Sequence, residues 1–201
     1  MDRDPQHRPG PASQAGDRVT DGPPDPPSDG RGVVVFMTGL SGAGKSTIAE
    51  ALADRLRAAG REVSILDGDE LRKHLSADLG FDRASRDRQV HRAAELAAAD
   101  AADGKVVIAA LMAPFDAARR DARTVVAPVA RFVLVHVAAP LEVAEARDPK
   151  GLYRRARAGE LSNFIGIDEP YEAPSDADVV IDTTTTSVDH AVEALVRALS
   201  E

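Results

Sequence analysis

The sequence predicts a three-layer α/β fold, in which helices cover both faces of a mostly parallel β-sheet. Short runs of apolar residues alternate along the chain with longer segments that have the apolar spacing of amphipathic helices. A glycine-rich loop also joins the first apolar run directly to the first helical segment. Strands that alternate with helices form parallel sheets, because each helix returns the chain to the edge where the next strand begins.

Five apolar runs are predicted to form the sheet. They occupy residues 33–37, 63–66, 106–110, 132–137 and 179–182. The first run contains no polar residue, which is typical of a strand that is covered on both faces.

The segments between these runs are predicted to be helical. They occupy residues 45–59, 86–103, 119–126, 141–160 and 188–199. The first has apolar residues one turn apart and stops at Gly60, and the second is rich in alanine and closes at Gly104. The segment 141–160 is predicted to be mostly helical and is strongly charged, and the last segment is amphipathic.

Length and composition indicate one domain preceded by a short tail. The chain has 201 residues, of which 43% are hydrophobic and 29% charged, as in an ordinary soluble globular protein. Residues 1–30 contain seven of the 13 prolines and almost no large apolar side chain. Because such a segment buries too little surface to order itself, we predict a disordered tail at 1–30 and one domain at 31–201.

The composition also excludes several classes of function. The formal net charge of −8 argues against a general nucleic-acid binder. The sequence has no run of about 18 apolar residues that could span a membrane, and it starts without the apolar core of a secretory signal. The absence of cysteine excludes disulfides and thiolate metal sites and fits a cytoplasmic location.

The glycine-rich loop matches the phosphate-binding pattern G-x-x-x-x-G-K-[ST] without a gap. Its residues are Gly39, Leu40, Ser41, Gly42, Ala43, Gly44, Lys45 and Ser46, and Thr47 follows them. The glycines let backbone N–H groups turn toward phosphate oxygens, and the helix that begins here adds its positive end. Lys45 is expected to reach the β- and γ-phosphates of ATP, and the Ser46 hydroxyl to join the ligands of Mg²⁺. The alternative, a chance glycine-rich turn, does not account for the strand before the loop and the helix after it.

This loop predicts a P-loop NTPase fold, and two further observations narrow the class. The N-K-x-D pattern that reads guanine in GTPases is absent from the sequence. A AAA-type or transporter ATPase needs more chain than the roughly 170 residues of the predicted domain. The remaining class is a kinase that phosphorylates a small molecule.

Two acidic residues, Asp67 and Asp69, follow the second predicted strand. Ligands of this fold bind at the carboxyl ends of the strands, where a carboxylate accepts a hydroxyl proton or helps to hold Mg²⁺. The alternative is a D-G turn that caps the next helix. Both interpretations can hold together, because a tight turn would aim Asp69 at the site.

Six short motifs are similar in order and spacing to the adenylylsulfate (APS) kinase family. They are L-D-G-D at 66–69, D-L-G-F at 78–81, R-D-P-K-G-L-Y at 147–153, A-R-A-G-E at 156–160, F-I-G-I-D at 164–168 and P-Y-E-A-P at 170–174. The resemblance covers roughly residues 33–182. It implies a helical lid, a homodimer, and transfer of phosphate from ATP to the 3′-hydroxyl of adenosine 5′-phosphosulfate.

The resemblance also assigns roles by position. Asp69 corresponds to the catalytic acid of the family, the base for the ribose hydroxyl. Phe81 and Phe164 correspond to the two rings that sandwich the adenine of the substrate, and Arg72 and Arg86 to the arginines that hold its phosphosulfate end. The chemistry agrees, because aromatic rings stack on a flat base and a guanidinium pairs with an oxyanion. Core packing of the rings and a solvated helix face for the arginines are the structural alternatives.

The remaining site residues follow from the same motifs. Gln89 stands where the family has an Asn in the substrate pocket, and Arg147 is assigned to ATP. Asp67 is assigned to Mg²⁺ together with Ser46. Lys150 and the basic run Arg154, Arg155 and Arg157 resemble the mobile lid that folds over the nucleotide. For Arg154 and Arg155 the simpler interpretation is a charged surface helix.

Besides Gln89, six positions depart from the family pattern, and we expect these departures to cluster around the acceptor pocket. They are Glu70, Ser85, His91, Ala113, Asp116 and Ile165. Asp116 reverses the charge of an arginine and would oppose anion binding unless Arg88 or Arg119 compensates for it. The favoured interpretation is a divergent APS kinase. The alternatives are a paralogue that phosphorylates another nucleotide or hydroxyl compound, and a nucleotide-binding module that regulates a partner.

Overall fold

The computed structural model describes residues 32–200, and the predicted tail at 1–30 lies outside the described residues. The elements are β1 Gly32–Thr38, α1 Lys45–Ala58, β2 Val63–Asp67, α2 Gly68–His74, α3 Arg83–Ala102, β3 Val106–Ala110, α4 Asp116–Val126, β4 Ala130–Ala138, α5 Leu141–Arg147, α6 Leu152–Arg157, β5 Val179–Asp182 and α7 Val188–Ser200. No helix within residues 32–200 is long and apolar enough to cross a membrane.

The five strands form one sheet in the order β2-β3-β1-β4-β5. Every pair of neighbouring strands is parallel, which confirms the predicted fold class. The strand β1 lies at the centre, where Val33 is paired with Val106 of β3 and Arg131 of β4. All seven residues of β1 are buried, as the apolar run at 33–37 predicts for a strand that is covered on both faces.

Each face of the sheet packs against a separate apolar layer. Side chains alternate between the two faces of a strand, so consecutive residues of β1 contribute to different layers. Val35 shares a buried cluster with Leu52 of α1 and Leu195 of α7. Phe36 belongs to the opposite cluster, which includes Ala97 of α3 and Ala122 of α4. The two layers hold the carboxyl end of β1, and the loop that follows it, in a fixed position.

The segment 141–160, predicted to be mostly helical, consists of two helices, because the chain turns sharply between α5 and α6. Asp148 and Gly151 have positive φ angles of 20° and 65°, and Pro149 between them provides no N–H group for a helix. The Asp148 carboxylate accepts hydrogen bonds of 3.1 Å from the amides of Tyr153 and Arg154, so it starts the second helix.

The short helix α2 is the second difference from the predicted elements. Its first turn is capped by Asp67, whose carboxylate accepts hydrogen bonds from the amides of Asp69 at 2.8 Å and Glu70 at 3.4 Å. The D-G sequence therefore starts a helix, and this helix carries Asp69 and Arg72 beside the end of the strand.

Candidate active site

The carboxyl ends of the strands open into a cavity of about 1160 Å³. The residues predicted from the sequence to bind ATP, Mg²⁺ or the acceptor all line this cavity except Gly39 and Leu40. These two lie behind the wall of the phosphate-binding loop, where their carbonyl oxygens accept hydrogen bonds of 2.9 and 2.8 Å from the Lys45 ammonium. In the basic run of the lid, Arg155 lines the cavity, and Arg154 and Arg157 lie outside it. The cavity is large enough for small-molecule ligands.

The loop between β1 and α1 has the geometry of a phosphate cradle. Gly42 and Gly44 have φ angles of +77° and +104°, which residues with a Cβ rarely adopt. A Cβ on Gly42 would also lie 2.7 Å from the carbonyl oxygen of Ala144. Burial, with the nearby charge of Lys150 as the second cause, lowers the pKa of Lys45 to about 8. An anion placed in the loop would stabilise the charged form of this lysine.

A hydroxyl and a carboxylate meet at the edge of the loop. The Ser46 hydroxyl donates a 2.8 Å hydrogen bond to the Asp67 carboxylate. Burial raises the pKa of Asp67, but the hydrogen bonds from Ser46 and from the amides of Asp69 and Glu70 outweigh it, and the pKa lies below its usual value. Because the carboxylate is ionised and both groups offer oxygen atoms, this pair fits the ligands that Mg²⁺ prefers.

Asp69 and Lys150 face each other across the cavity. Their carboxylate and ammonium groups are in direct contact, and each side chain is about half-exposed. Asp69 lies in the first turn of α2, and Lys150 lies in the turn between α5 and α6. The turn between α5 and α6 therefore places Lys150 against the carboxylate.

The acceptor side of the cavity is built around Phe81. This ring is 54% exposed, and the guanidinium carbons of Arg72 and Arg86 lie 4.6 and 5.7 Å from its centre. Arg86 also donates to the carbonyls of Phe81 and Asn163, both at 2.9 Å. Arg72 contacts the side-chain oxygen of Gln89, whose amide nitrogen donates to the Gly68 carbonyl at 2.8 Å. An exposed ring held between two cations is available for stacking, in contrast to a ring in the core.

Phe164 is both a core residue and a wall of the cavity. It is 7% exposed and packs edge-to-face against Tyr153 of α6, with the ring centres 5.0 Å apart. The Tyr153 hydroxyl donates to the carbonyl of Ser41 in the phosphate-binding loop at 3.0 Å. The core-packing alternative therefore describes part of the role of Phe164 but does not apply to Phe81.

Arg147 joins the end of α5 to the segment after β5. Its guanidinium donates to the hydroxyl and to the carbonyl of Thr183, both at 2.9 Å, and lies 3.4 Å from the Gly42 carbonyl. The side chain therefore lies against the base of the phosphate-binding loop. This placement is compatible with the nucleotide side of the cavity that the sequence assigned to it.

The expectation that the departures from the family pattern cluster around the acceptor pocket is wrong for most of them. Ala113 is the only one of the six that lines the main cavity, and Glu70 lines a small cavity beside it. His91 hydrogen-bonds to Asp121 of α4 at 2.7 Å, and Ile165 is fully buried under the lid.

Asp116 has its charge compensated on its own helix. Its carboxylate lies 3.5 Å from Arg119 and 2.5 Å from Arg120. The predicted compensation by Arg119 is therefore present, whereas Arg88 bonds to the hydroxyl of Ser85 instead. A carboxylate that is paired with two arginines has little remaining field with which to repel an anion in the cavity.

Four residues support the cavity from behind, a role that sequence reasoning missed; it had named Arg119 only as a cation that could compensate for Asp116. Thr38, Arg119, Tyr153 and Tyr171 are buried or half-buried and form hydrogen bonds to the backbone or side chains around the site. Both tyrosines of the chain are in this group. Two tyrosines in a chain that is only 3% aromatic were a usable signal, because a buried Tyr needs a partner for its hydroxyl.

Comparison with known proteins gives a consistent result. The model of the adenylylsulphate kinase family matches residues 31–182. The adenylyl-sulfate kinase of Paraburkholderia xenovorans is 51% identical over 172 residues, which cover 86% of this chain and 95% of that protein. The adenylyl-sulfate kinase of Synechococcus sp. (strain JA-3-3Ab) is 44% identical, over 84% of this chain and 94% of that protein.

A solved structure agrees in both fold and sequence. The APS kinase of Mycobacterium tuberculosis, in complex with AMPPNP and APS, superimposes with a TM-score of 0.83 and 39% identity. The match covers 85% of this chain and 99% of that chain. Because the family model matches residues 31–182 and these relatives are similar over most of their length, the chain belongs to the adenylylsulfate kinase family.

Proposed function

We propose that this protein transfers the γ-phosphate of ATP to the 3′-hydroxyl of adenosine 5′-phosphosulfate. One observation supports the proposal most directly. A phosphate cradle, a carboxylate suited to act as a base and an exposed aromatic ring between two arginines line the same cavity. A general phosphate-binding site would need only the first of these features.

The loop residues 39–47 bind the triphosphate in this proposal. Backbone N–H groups and the Lys45 ammonium hold the β- and γ-phosphates, and Arg147 lies on the same side of the loop. Ser46 and Asp67 would hold Mg²⁺, since their oxygen atoms are already in hydrogen-bond contact. The ion, when bound, neutralises charge on the phosphate oxygens during transfer.

Asp69 is the proposed base. It takes the proton of the 3′-hydroxyl as the hydroxyl oxygen forms a bond to the γ-phosphorus. The bond between that phosphorus and the β–γ bridging oxygen breaks, and ADP leaves with the electron pair. The contact with Lys150 supports this role, because a lid cation beside the base also lies close to the charge on the transferred group.

The acceptor is held from two sides. Phe81 and Phe164 stack on its adenine, and Arg72 and Arg86 pair with its anionic end. Gln89 fixes Arg72 and also bonds to the carbonyl of Gly68, next to Asp69, so it aligns the anion with the base.

A homodimer is also proposed, and native mass spectrometry of the full chain tests it.

A coupled assay of ADP release tests the function. The purified full chain is mixed with MgATP and either APS or a panel of other hydroxyl-bearing nucleotides. We expect turnover with APS at about 1–100 s⁻¹, the usual range for kinases. Turnover with another nucleotide but not with APS would establish the paralogue, and binding of ATP with no acceptor-dependent release would establish the regulatory module.

A further inference from the structure

A short segment behind the cavity connects parts of the site that are distant in sequence. Tyr171 and Glu172 do not line the cavity themselves. They directly follow the turn 164–169, in which the Asp168 carboxylate accepts a 2.8 Å hydrogen bond from the Phe164 amide. The segment therefore begins at the wall that carries Phe164 and continues behind the opposite wall.

The hydroxyl of Tyr171 reaches the strand that carries the phosphate-binding loop. It lies 2.9 Å from the hydroxyl of Thr38, the last residue of β1. The Thr38 oxygen in turn lies 2.6 Å from the carbonyl of Met112 and 3.1 Å from that of Ala113. A threonine hydroxyl has one proton and carbonyls only accept, so Thr38 donates to the carbonyls and Tyr171 donates to Thr38.

The carbonyls at the end of this chain belong to a strained turn. Ala113 has a φ angle of +41°, in the left-handed region that alanine rarely adopts. The turn 111–114 lines the cavity after the end of β3. Two side chains donate hydrogen bonds that hold its conformation. They are Thr38 and the buried Arg119, whose guanidinium donates to the Ala113 carbonyl at 2.9 Å.

The same turn also bonds to the phosphate-binding loop. The amide of Gly39 donates to the Met112 carbonyl at 3.3 Å, so this carbonyl receives the loop as well as Thr38. A shift of the turn would therefore displace both the wall of the acceptor pocket and the base of the phosphate-binding loop. The wall should move more than the loop, because the loop is also fixed by α1.

Glu172 holds the other end of the turn. Its amide donates to the Pro114 carbonyl at 2.9 Å, and its carboxylate accepts a 2.7 Å hydrogen bond from the amide of Asp116. The carboxylate also lies 3.2 Å from Arg83 of α3, whose guanidinium covers the ring of Phe115. Hydrogen bonds from Tyr171, through Thr38, and from Glu172 therefore hold the turn at both of its ends.

We propose that Tyr171 is a positioning residue for the transfer reaction: through Thr38 it holds the turn 111–114, so that the acceptor wall keeps its register with the lid and the phosphate-binding loop. This inference rests on the proposed function, because the wall it places is that of the acceptor. The stacking of Tyr171 on His136, with ring centres 5.9 Å apart, fixes the direction of the hydroxyl.

The test is the variant Tyr171→Phe, which keeps the ring and removes one proton donor. We expect the KM for APS to rise about five- to tenfold and kcat to fall, while the KM for MgATP stays within about twofold. A purely structural role would lower the melting temperature or the active fraction and leave both KM values unchanged. The variant Thr124→Ala is the matched control, because the Thr124 hydroxyl donates to the Arg120 carbonyl of its own helix, at 3.0 Å, and forms no other hydrogen bond within residues 32–200.

A double-mutant cycle assigns the effect to the Thr38 contact. Thr38→Val removes the hydroxyl and keeps the shape, so it should reproduce the rise in the KM for APS. The KM for APS of the double variant should be at most about twice that of the more strongly affected single variant, because both substitutions break the same chain of hydrogen bonds. Additive effects, or an unchanged KM for APS in Tyr171→Phe, would overturn the inference. If the wild-type protein does not turn over APS, the proposed function fails and the inference fails with it. If the wild type turns over APS but Tyr171→Phe keeps a normal KM for APS, only the inference fails.

Discussion

The ammonium of Lys150 contacts the carboxylate of Asp69 at the point where the lid meets the end of the sheet. Both side chains are about half-exposed, so solvent screens the pair and it adds little to stability. The contact matters for the reaction, because it places a cation of the lid directly beside the proposed base. A triphosphate in the loop offers Lys150 a stronger anionic partner, which frees Asp69 to accept a proton.

Replacement of the proposed base should affect the rate more than the binding of ATP. In Asp69→Asn we expect kcat to fall by about 100- to 10,000-fold, which is the usual contribution of general base catalysis. The Kd for MgATP should stay within about threefold, because the loop residues are intact. Glu70→Gln is the matched control, since this neighbouring carboxylate pairs with Lys73 at 2.6 Å and lies outside the main cavity. An unchanged rate in Asp69→Asn would remove Asp69 from the role of base.

The lowered pKa of Lys45 predicts uptake of protons when ATP binds. With a pKa of about 8, much of this lysine is neutral in the free protein at pH 8.5, whereas bound phosphates would favour the charged form. We expect about 0.7 proton to be taken up per site at pH 8.5 and about 0.1 at pH 7. Affinity for ATP should therefore fall as the pH rises above 8.

Titration calorimetry in buffers of different ionisation enthalpy measures this uptake. Lys45→Arg provides the control, because a guanidinium keeps its charge at every pH used and should remove the proton uptake. Equal uptake at pH 7 and pH 8.5 in the wild-type protein would contradict the assignment to Lys45.

The exposed position of Phe81 predicts a change in acceptor affinity without a change in stability. In Phe81→Leu we expect the KM for APS to rise about five- to 100-fold, because a base stacked on a ring is worth about 1–3 kcal/mol. The melting temperature should not change, since the ring is 54% exposed. Leu96→Ala, at an exposed apolar residue of α3 outside the cavity, should leave the KM unaltered. A stacking role for Phe81 would be refuted by a normal KM for APS in Phe81→Leu.

The position of His91 predicts a pH-dependent contribution to stability and none to activity. The hydrogen bond to Asp121, with the nearby charge of Glu95, raises the pKa of His91. The folded state then binds the proton more tightly than the unfolded state, so the pair stabilises fully below about pH 6.5 and loses its effect as the pH rises through the raised pKa. The side chain is half-exposed, so the effect is small.

In His91→Arg the charge persists at all pH values. We expect the melting temperature to exceed that of the wild type by about 1–3 °C at pH 8.5 and to match it at pH 5.5, with kcat and both KM values unchanged. His190→Arg serves for comparison, because His190 contacts the Ser187 hydroxyl at 3.0 Å instead of a carboxylate. A changed KM for APS in His91→Arg would contradict this prediction and would show that His91 contributes to acceptor binding.

The strands and the phosphate-binding loop were predictable because local pattern decides them. The predicted bounds of β3 and β5 equal those in the structure, and the loop lies between β1 and α1 as predicted. Apolar runs bounded by glycine or charge leave little choice of structure. The segment 141–160, predicted to be mostly helical, is helical on both sides of a break at Pro149 and Gly151, two residues whose types indicate such a break.

The supporting residues were harder to predict because their partners are distant in sequence. Thr38 and Tyr171 are 133 positions apart, and neither type of residue marks a motif on its own. The departures at His91 and Asp116 were misplaced for a similar reason. Their helical faces point to Asp121 and to Arg120, and only the packing of α3 against α4 shows that these faces turn away from the cavity.

Identification of the product by phosphorus NMR tests the central claim most directly. The full chain is incubated with MgATP and APS until ADP accumulates, and the nucleotide product is isolated. The account predicts one new phosphate monoester whose phosphorus couples to the ribose H3′ proton, in equal amount to ADP. A phosphate at any other position, or release of ADP without a phosphorylated acceptor, would contradict it.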